Sequence, residues 1–283
     1  MGGATPVELR QLQYFVTLAE HRHFGRAAEA LHIAQPSLSQ QIRSLEEDLG
    51  IVLFERSRRH VALTPDGEAF LPYARKMLAL ADDARAELAD RSDLRRGRVR
   101  LGTTPTLGGH LLPRILQRFH ERHPALEITI TEAVSDHLAR ELDEGRLDLA
   151  LLVDAPGIEG KAFDTLFTEE IVAALPEGHP LSGREAIDLA ELRDEGFILC
   201  QEGFHLRRVT LEACRAKGFT PRAVLSGTNV DTALRFVQAG LGVTLVPELV
   251  TKSVPGVATP SLSSPALRRS VVVAWNPQRY LSR

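Results

Sequence analysis

Cysteine is scarce in this 283-residue chain, which has only Cys200 and Cys214. Two thiols are too few for the disulfide framework of a small secreted scaffold and stand too isolated for a structural zinc site, so a reducing compartment and no metal are expected. Long apolar runs are missing too: none reaches the roughly eighteen residues of a membrane span. The opening Met1-Gly2-Gly3-Ala4-Thr5-Pro6 lacks the basic and apolar regions of a secretory leader, which points to the cytoplasm and to no membrane partner. An excess of positive charge is likewise absent. The formal net charge is −3, and residues 1–64 hold as many acidic residues as Lys plus Arg, so any nucleic-acid contact must rest on local basic groups. No serine elbow with spaced His and Asp, no HExxH and no GxxxxGK[ST] occurs, so neither catalytic residues nor a cofactor are expected.

What is present is an ordinary globular composition, 43% hydrophobic and 25% charged, long enough for two domains. Leu9, Leu12, Phe15, Val16 and Ala19 recur at helical spacing. A second helix follows through Phe24 to Leu31, with Ala27 and Ala28 small enough for close packing. Pro36 is tolerated in a first turn, so a third helix runs from there to about Leu49, burying Leu38, Ile42 and Leu45 and ending at Gly50. Its other face carries Gln35, Ser37, Ser39, Gln40 and Arg43, side chains suited to base edges and phosphates, or simply to solvent. Two short apolar runs, Ile51–Phe54 and Val61–Thr64, bracket Arg56, Arg58 and Arg59. That is a basic hairpin tip for phosphates or a minor groove, or a solvated turn.

The series Phe24, Ala27-Ala28, Leu31, Gln35-Pro36-Ser37-Leu38-Ser39, Ile42, Leu45-Glu46, Leu49-Gly50, Leu53-Phe54-Glu55-Arg56, Leu63-Thr64 and Gly67 resembles the DNA-binding domain of LysR-type transcriptional regulators. The resemblance implies a winged helix-turn-helix over residues 1–64, with Gln35, Pro36, Ser37, Ser39, Gln40 and Arg43 facing double-stranded DNA and Arg56, Arg58 and Arg59 holding its backbone. Ala34 departs from the family's frequent serine and leaves the third helix without a side-chain cap.

Thr64-Pro65-Asp66 supplies a cap and a first-turn proline for a linker helix over 65–94. Phe70, Leu71, Ala74, Met77, Leu78, Ala81, Ala84, Leu88 and Ala89 form its apolar stripe. A second copy of the helix would cover that stripe, giving a homodimer or homotetramer matched to paired half-sites; packing on its own chain is the alternative.

From 97 to 283, strands alternate with helices, which predicts an α/β domain with a parallel sheet and ligands beyond the carboxyl ends of its strands. The order resembles the two-lobed, periplasmic-binding-protein-like effector domain of the same family, with lobes near 97–166 plus 271–283 and 167–270. Thr103, Thr104, Thr106 and Ser135 sit at such ends. Thr228 and Asn229 open a later helix, and helix starts at Thr106 and Thr228 would favour a small, anionic effector. Within the family, Ala19 to Phe24, Pro105-Thr106 with Leu111-Leu112-Pro113, and Glu202-Gly203 with Leu206-Arg207 are most similar to the peroxide-sensing, OxyR-type branch. That branch attacks peroxide with one cysteine and resolves it with a second; here His205 occupies the attacking position and Cys214 the resolving one. Redox sensing through Cys214 or Cys200 is therefore one reading, and ligand sensing with His205 as an effector contact is the other. A stand-alone solute-binding protein is the remaining alternative, opposed by the arginine-tipped wing.

Overall fold

The computed structural model describes residues 7–56, 61–90, 97–154, 160–251 and 254–279. The chain divides into two compact units, one built mainly from residues 1–94 and the other from 95–142 and 147–277.

In the first unit, α1 (Leu9–His21), α2 (Phe24–Ala30) and α3 (Gln35–Leu49) enclose a core of Leu12, Phe15, Leu18, Ala27, Leu38, Ile42 and Leu45. Those apolar residues recur every three or four positions, so each helix turns one stripe inward. His23 caps α2: its Nδ1 accepts from the Gly25 and Arg26 amides at 3.1 and 3.3 Å. Ala34 makes no side-chain cap, and α3 closes on Gly50 in the left-handed conformation at φ 69°. The hairpin of β1 (Phe54–Arg56) and β2 (Val61–Leu63) follows. Its base is tied to α3 by Glu46, whose Oε1 accepts from the Leu53 and Phe54 amides at 2.9 and 3.2 Å.

Helix α4 (Pro65–Asp90) starts where Thr64 Oγ1 accepts from the Gly67 amide at 3.0 Å. A Cβ on Gly67 would lie 2.2 Å from the Leu53 carbonyl oxygen, so only glycine lets the helix press this closely against the wing base. The expected apolar stripe divides in two. Phe70, Leu71, Ala74 and Leu78 pack on the core of this unit. Met77 and Leu88 instead stay exposed, joined by Tyr73 and Leu80, which the periodicity reading left out.

The second unit runs β3 (Gly97–Thr103), α5 (Pro105–His110), α6 (Leu112–Arg122), β4 (Leu126–Glu132), α7 (Ser135–Asp143), β5 (Leu149–Val153) and β6 (Ala162–Pro176). It continues through β7 (Ala186–Asp188), β8 (Gly196–Cys200), α8 (His205–Ala216), β9 (Arg222–Thr228), α9 (Val230–Gln238), β10 (Thr244–Pro247), β11 (Val257–Ala258), β12 (Ser261–Ser264) and β13 (Leu267–Trp275). The main sheet has the order β10-β6-β13-β5-β3-β4. β3 pairs in parallel with β4 and β5, as alternating strands and helices require, but β13 returns antiparallel between β5 and β6. Before His123 come two consecutive helices, α5 and α6, joined at Leu111.

Two long strands carry the chain between halves. One end of the β6/β13 ladder meets β5, the other meets β10. Between them Val271 pairs with Phe167 and Val272 with Thr165, so Leu166 is an extra residue, a β-bulge. Separate cores fill the halves: Leu138, Leu142, Leu147, Leu152 and Val272 on one side, Phe197, Ile198, Val230, Leu234, Leu245 and Val246 on the other.

Candidate functional site

Within the second unit a cavity of about 470 Å³ opens at the ends of β3, β4 and β5 and against the start of α8. Its walls are largely apolar, with Val134, Val153, Phe204, Leu206, Leu211 and Val230. Thr104, Thr106 and Ser135 line it, as does His205, so four of the seven residues expected to touch an effector are brought together. The other three are elsewhere. Thr103 is fully buried and its hydroxyl donates to the Thr104 carbonyl at 3.2 Å. Asn229 Oδ1 accepts from the Thr232 amide at 2.8 Å as an ordinary cap of α9, and Thr228 donates to the Asn229 carbonyl beside it. Of the two helix starts expected to face an anion, that at Thr106 of α5 lines the cavity and that at Thr228 does not.

The polar chemistry comes from residues that the sequence reading missed. Arg269 and Glu169 are 5% and 7% exposed and face each other across β13 and β6. Arg269 Nε donates to Glu169 Oε1 at 2.8 Å, while Glu169 Oε2 accepts from the Leu249 amide at 2.6 Å. Nη2 lies 2.6 Å from the same Oε1, an ion-pair distance out of line for a hydrogen bond. Thr104 Oγ1 is buried with no hydrogen-bond partner.

His205 completes the group. Its Nδ1 lies 3.1 Å from Arg208 Nη2, a nitrogen that can only donate, so Nδ1 is the acceptor and the ring proton is assigned to Nε2. Nε2 is 2.9 Å from Asp154 Oδ2, an ion-pair distance without hydrogen-bond alignment. Asp154 sits just after β5 with φ 44° and is held by the Ser270 amide, which donates to its Oδ1 at 2.6 Å. Burial lowers the His205 pKa below its usual 6.5; Asp154 pulls it up, and Arg208 and Arg269 push it down. The ring is therefore a neutral donor. Thr104, His205 and Arg269 all line the cavity, with Thr104 Oγ1 buried and without a hydrogen-bond partner and the other two side chains ion-paired with Asp154 and Glu169.

Neither thiol lines the cavity. Cys200, on β8, is 3% exposed and Cys214, on α8, is fully buried; burial pushes both thiols up to about 11. Arg207, which donates to the Cys200 carbonyl at 2.9 Å, offsets that only in part.

In the first unit, Gln35, Pro36, Ser37, Gln40 and Arg43 are exposed and Ser39 is half-buried, all on α3 away from the core. The side chain of Arg56, together with Arg58 and Arg59, lies outside the described residues. No group of His, Cys, Asp and Glu that would hold a metal occurs among the described residues, and no described helix is long and apolar enough to cross a membrane.

Residues 92–283 match the LysR substrate binding domain, and residues 9–68 match the bacterial regulatory helix-turn-helix protein, lysR family. The chain belongs to the LysR family. It is a DNA-binding transcriptional regulator with an effector-binding domain. Among its LysR-family relatives, the transcriptional dual regulator OxyR of Escherichia coli is 34% identical over 274 residues, which is 96% of this chain and 90% of that protein. The transcriptional dual regulator GltC of Bacillus subtilis is 38% identical over 246 residues, covering 86% and 81%. A full-length OxyR variant from Pseudomonas aeruginosa superposes with TM-score 0.78 at 32% identity, covering 96% of this chain and 89% of that one. CbnR in complex with its target DNA gives TM-score 0.68 at 26% identity, with 96% and 94% coverage.

Proposed function

We propose that this LysR-family regulator is switched by a small molecule bound in the 470 Å³ cavity, not by oxidation of a thiol, and that it has no enzymatic activity of its own. The observation that carries this reading is the apolar-walled cavity itself, lined by Thr104, Thr106, Ser135, His205 and Arg269 and by neither cysteine. Thiol sensing requires an accessible thiolate. His205 stands where the resemblance to the peroxide-sensing branch expects the attacking cysteine, and both cysteines of this chain are buried with raised pKa values.

On the DNA side, α3 presents Gln35, Pro36, Ser37, Ser39, Gln40 and Arg43 to the major groove, and Arg56, Arg58 and Arg59 grip the backbone. The exposed stripe of Tyr73, Met77, Leu80 and Leu88 on α4 pairs with the same stripe of a second copy, placing two reading helices on one operator. Effector occupancy then changes the relative setting of paired subunits and the bend of the DNA.

Footprinting of the full chain on DNA upstream of its own gene, with and without a deproteinised metabolite extract, tests the switch. A footprint that changes with extract, and ceases to change when Val134→Trp fills the cavity, is expected. An extract response retained in Val134→Trp overturns the cavity as the effector site. Intact-mass measurement after peroxide should show both thiols unmodified; a disulfide or sulfenic acid that alters the footprint would restore the redox reading.

A further inference from the structure

Among the described residues, two histidine–aspartate pairs join the halves of the second unit, and they answer a proton differently. Helix α7 and strand β5 pack on the core of Leu138 and Leu152, whereas α8 and α9 pack on that of Phe197 and Leu245. His205, at the start of α8, meets Asp154, just after β5, at 2.9 Å. His110, at the end of α5, meets Asp231 on α9 at 2.7 Å, and neither of these two lines the cavity. The Asp231 carboxylate can only accept, so His110 Nε2 already carries the ring proton. A further proton goes to Nδ1 and leaves that contact in place with a charge added.

At His205 both ring nitrogens are engaged. Nδ1 accepts from Arg208 Nη2 at 3.1 Å, and Nε2–H faces Asp154. A second proton must therefore sit on Nδ1, which sets two donors and two positive charges against each other. Burial disfavours the charged ring most strongly; Asp154 and Glu212 favour it, and Arg208 and Arg269 oppose it. Glu169 stands behind Arg269, and Asp136, Glu202 and Arg207 stand on the cavity wall. Asp154 cannot follow a departing ring, because the Ser270 amide holds its Oδ1 at 2.6 Å in a left-handed backbone at φ 44°. Once α8 moves off, the ring is hydrated and takes its proton in the ordinary range. Protons thus favour the parted form.

We infer that the His205–Asp154 pair is an acid-released clasp: a proton on His205 Nδ1 parts the start of α8 from the end of β5 and opens the cavity between the halves, while His110–Asp231 holds as the pivot. The proton comes from solvent, only an N–H bond forms, and nothing is oxidised or reduced. The device needs no effector. It goes beyond the proposed small-molecule switch, and its failure leaves that reading untouched.

The test is a distance measurement across the cavity by double electron–electron resonance. Arg140→Cys on α7 and Arg215→Cys on α8, both exposed, carry the nitroxide labels, since Cys200 and Cys214 are buried. The full chain is diluted with unlabelled protein, without added ligand, and taken from about pH 8 to about pH 5.5. In this labelled parent a longer-distance population should grow below pH 6.5, its ratio to the shorter one rising by up to about tenfold per pH unit. Adding His205→Gln, which keeps an acceptor and a donor but takes no proton, should leave the distances flat. Adding Arg208→Gln removes the cation facing Nδ1, so a protonated His205 stays on Asp154 and the distances again stay flat. A parent whose distances do not change with pH, or undiminished growth of the long population in either variant, overturns the inference.

Discussion

Consider Glu169→Ala. In the native protein the carboxylate is 7% exposed, accepts from Arg269 and from the Leu249 amide, and is the counter-ion of a guanidinium that is 5% exposed. Removing it leaves Arg269 charged in a place where it cannot be hydrated, and breaking a buried pair from one side costs about 3–5 kcal/mol. For a domain of this size each kcal/mol lowers the melting temperature by about 2–4 °C, so a fall on the order of 6–20 °C follows. Arg269→Met, which strands Glu169 instead, should cost a comparable amount. The double variant Glu169→Ala/Arg269→Met removes both charges and should recover much of the loss, since apolar replacement of a buried pair is often near neutral. It should also weaken the effector response, because the Arg269 side chain is gone from the cavity wall. Thermal melts of the four proteins form a double-mutant cycle. A Glu169→Ala melt within 1 °C of wild type, or a double variant no better than the sum of the singles, would refute the reasoning.

Glu46→Ala strips the acceptor from two buried amides at the wing base and should cost about 1–3 kcal/mol by urea denaturation, with weaker DNA binding; Glu46→Gln, which keeps an acceptor oxygen, should retain most of both. Because burial depresses the His205 pKa, the neutral ring contributes stability that is present above about pH 6.5 and lost as pH falls below it; wild type should therefore lose stability relative to His205→Gln across that acid limb, and parallel curves would contradict the assignment. Leu80→Glu places a charge in the exposed stripe of α4 and should shift the protein toward monomer in sedimentation velocity, leaving the melt of the isolated chain near wild type.

The reading helix was legible because its signals are local. Pro36, Gly50 and the spacing of Leu38, Ile42 and Leu45 lie within one helix, and the structure places each where that spacing requires. The α4 stripe was only half legible: periodicity marks an apolar arc, but not which part of the arc meets its own domain, and so Tyr73 and Leu80 were passed over. At the cavity, Thr104, Thr106 and Ser135 were found because strand ends in an α/β sheet are readable from their order. Arg269 was not, since its partner Glu169 lies a hundred residues away and the two meet only through strand register. The one available signal was a pair of arginines, Arg268-Arg269, in a strand whose antiparallel neighbour carries Glu169-Glu170. Thr228 and Asn229 misled because a helix cap and a ligand contact use the same residue types.

The surplus residue at Leu166 has a mechanical meaning. Both crossings between the halves share one ribbon, so any rotation of one half about the other is a torsion of that ribbon, and a bulge is where a ladder yields to torsion at least expense in broken pairing. Arg269 stands on the same ribbon, two residues from Val271, the last residue paired ahead of the bulge. A ligand that tugs on this guanidinium therefore pulls on the axle itself, with no need for a lever running through the rest of the domain.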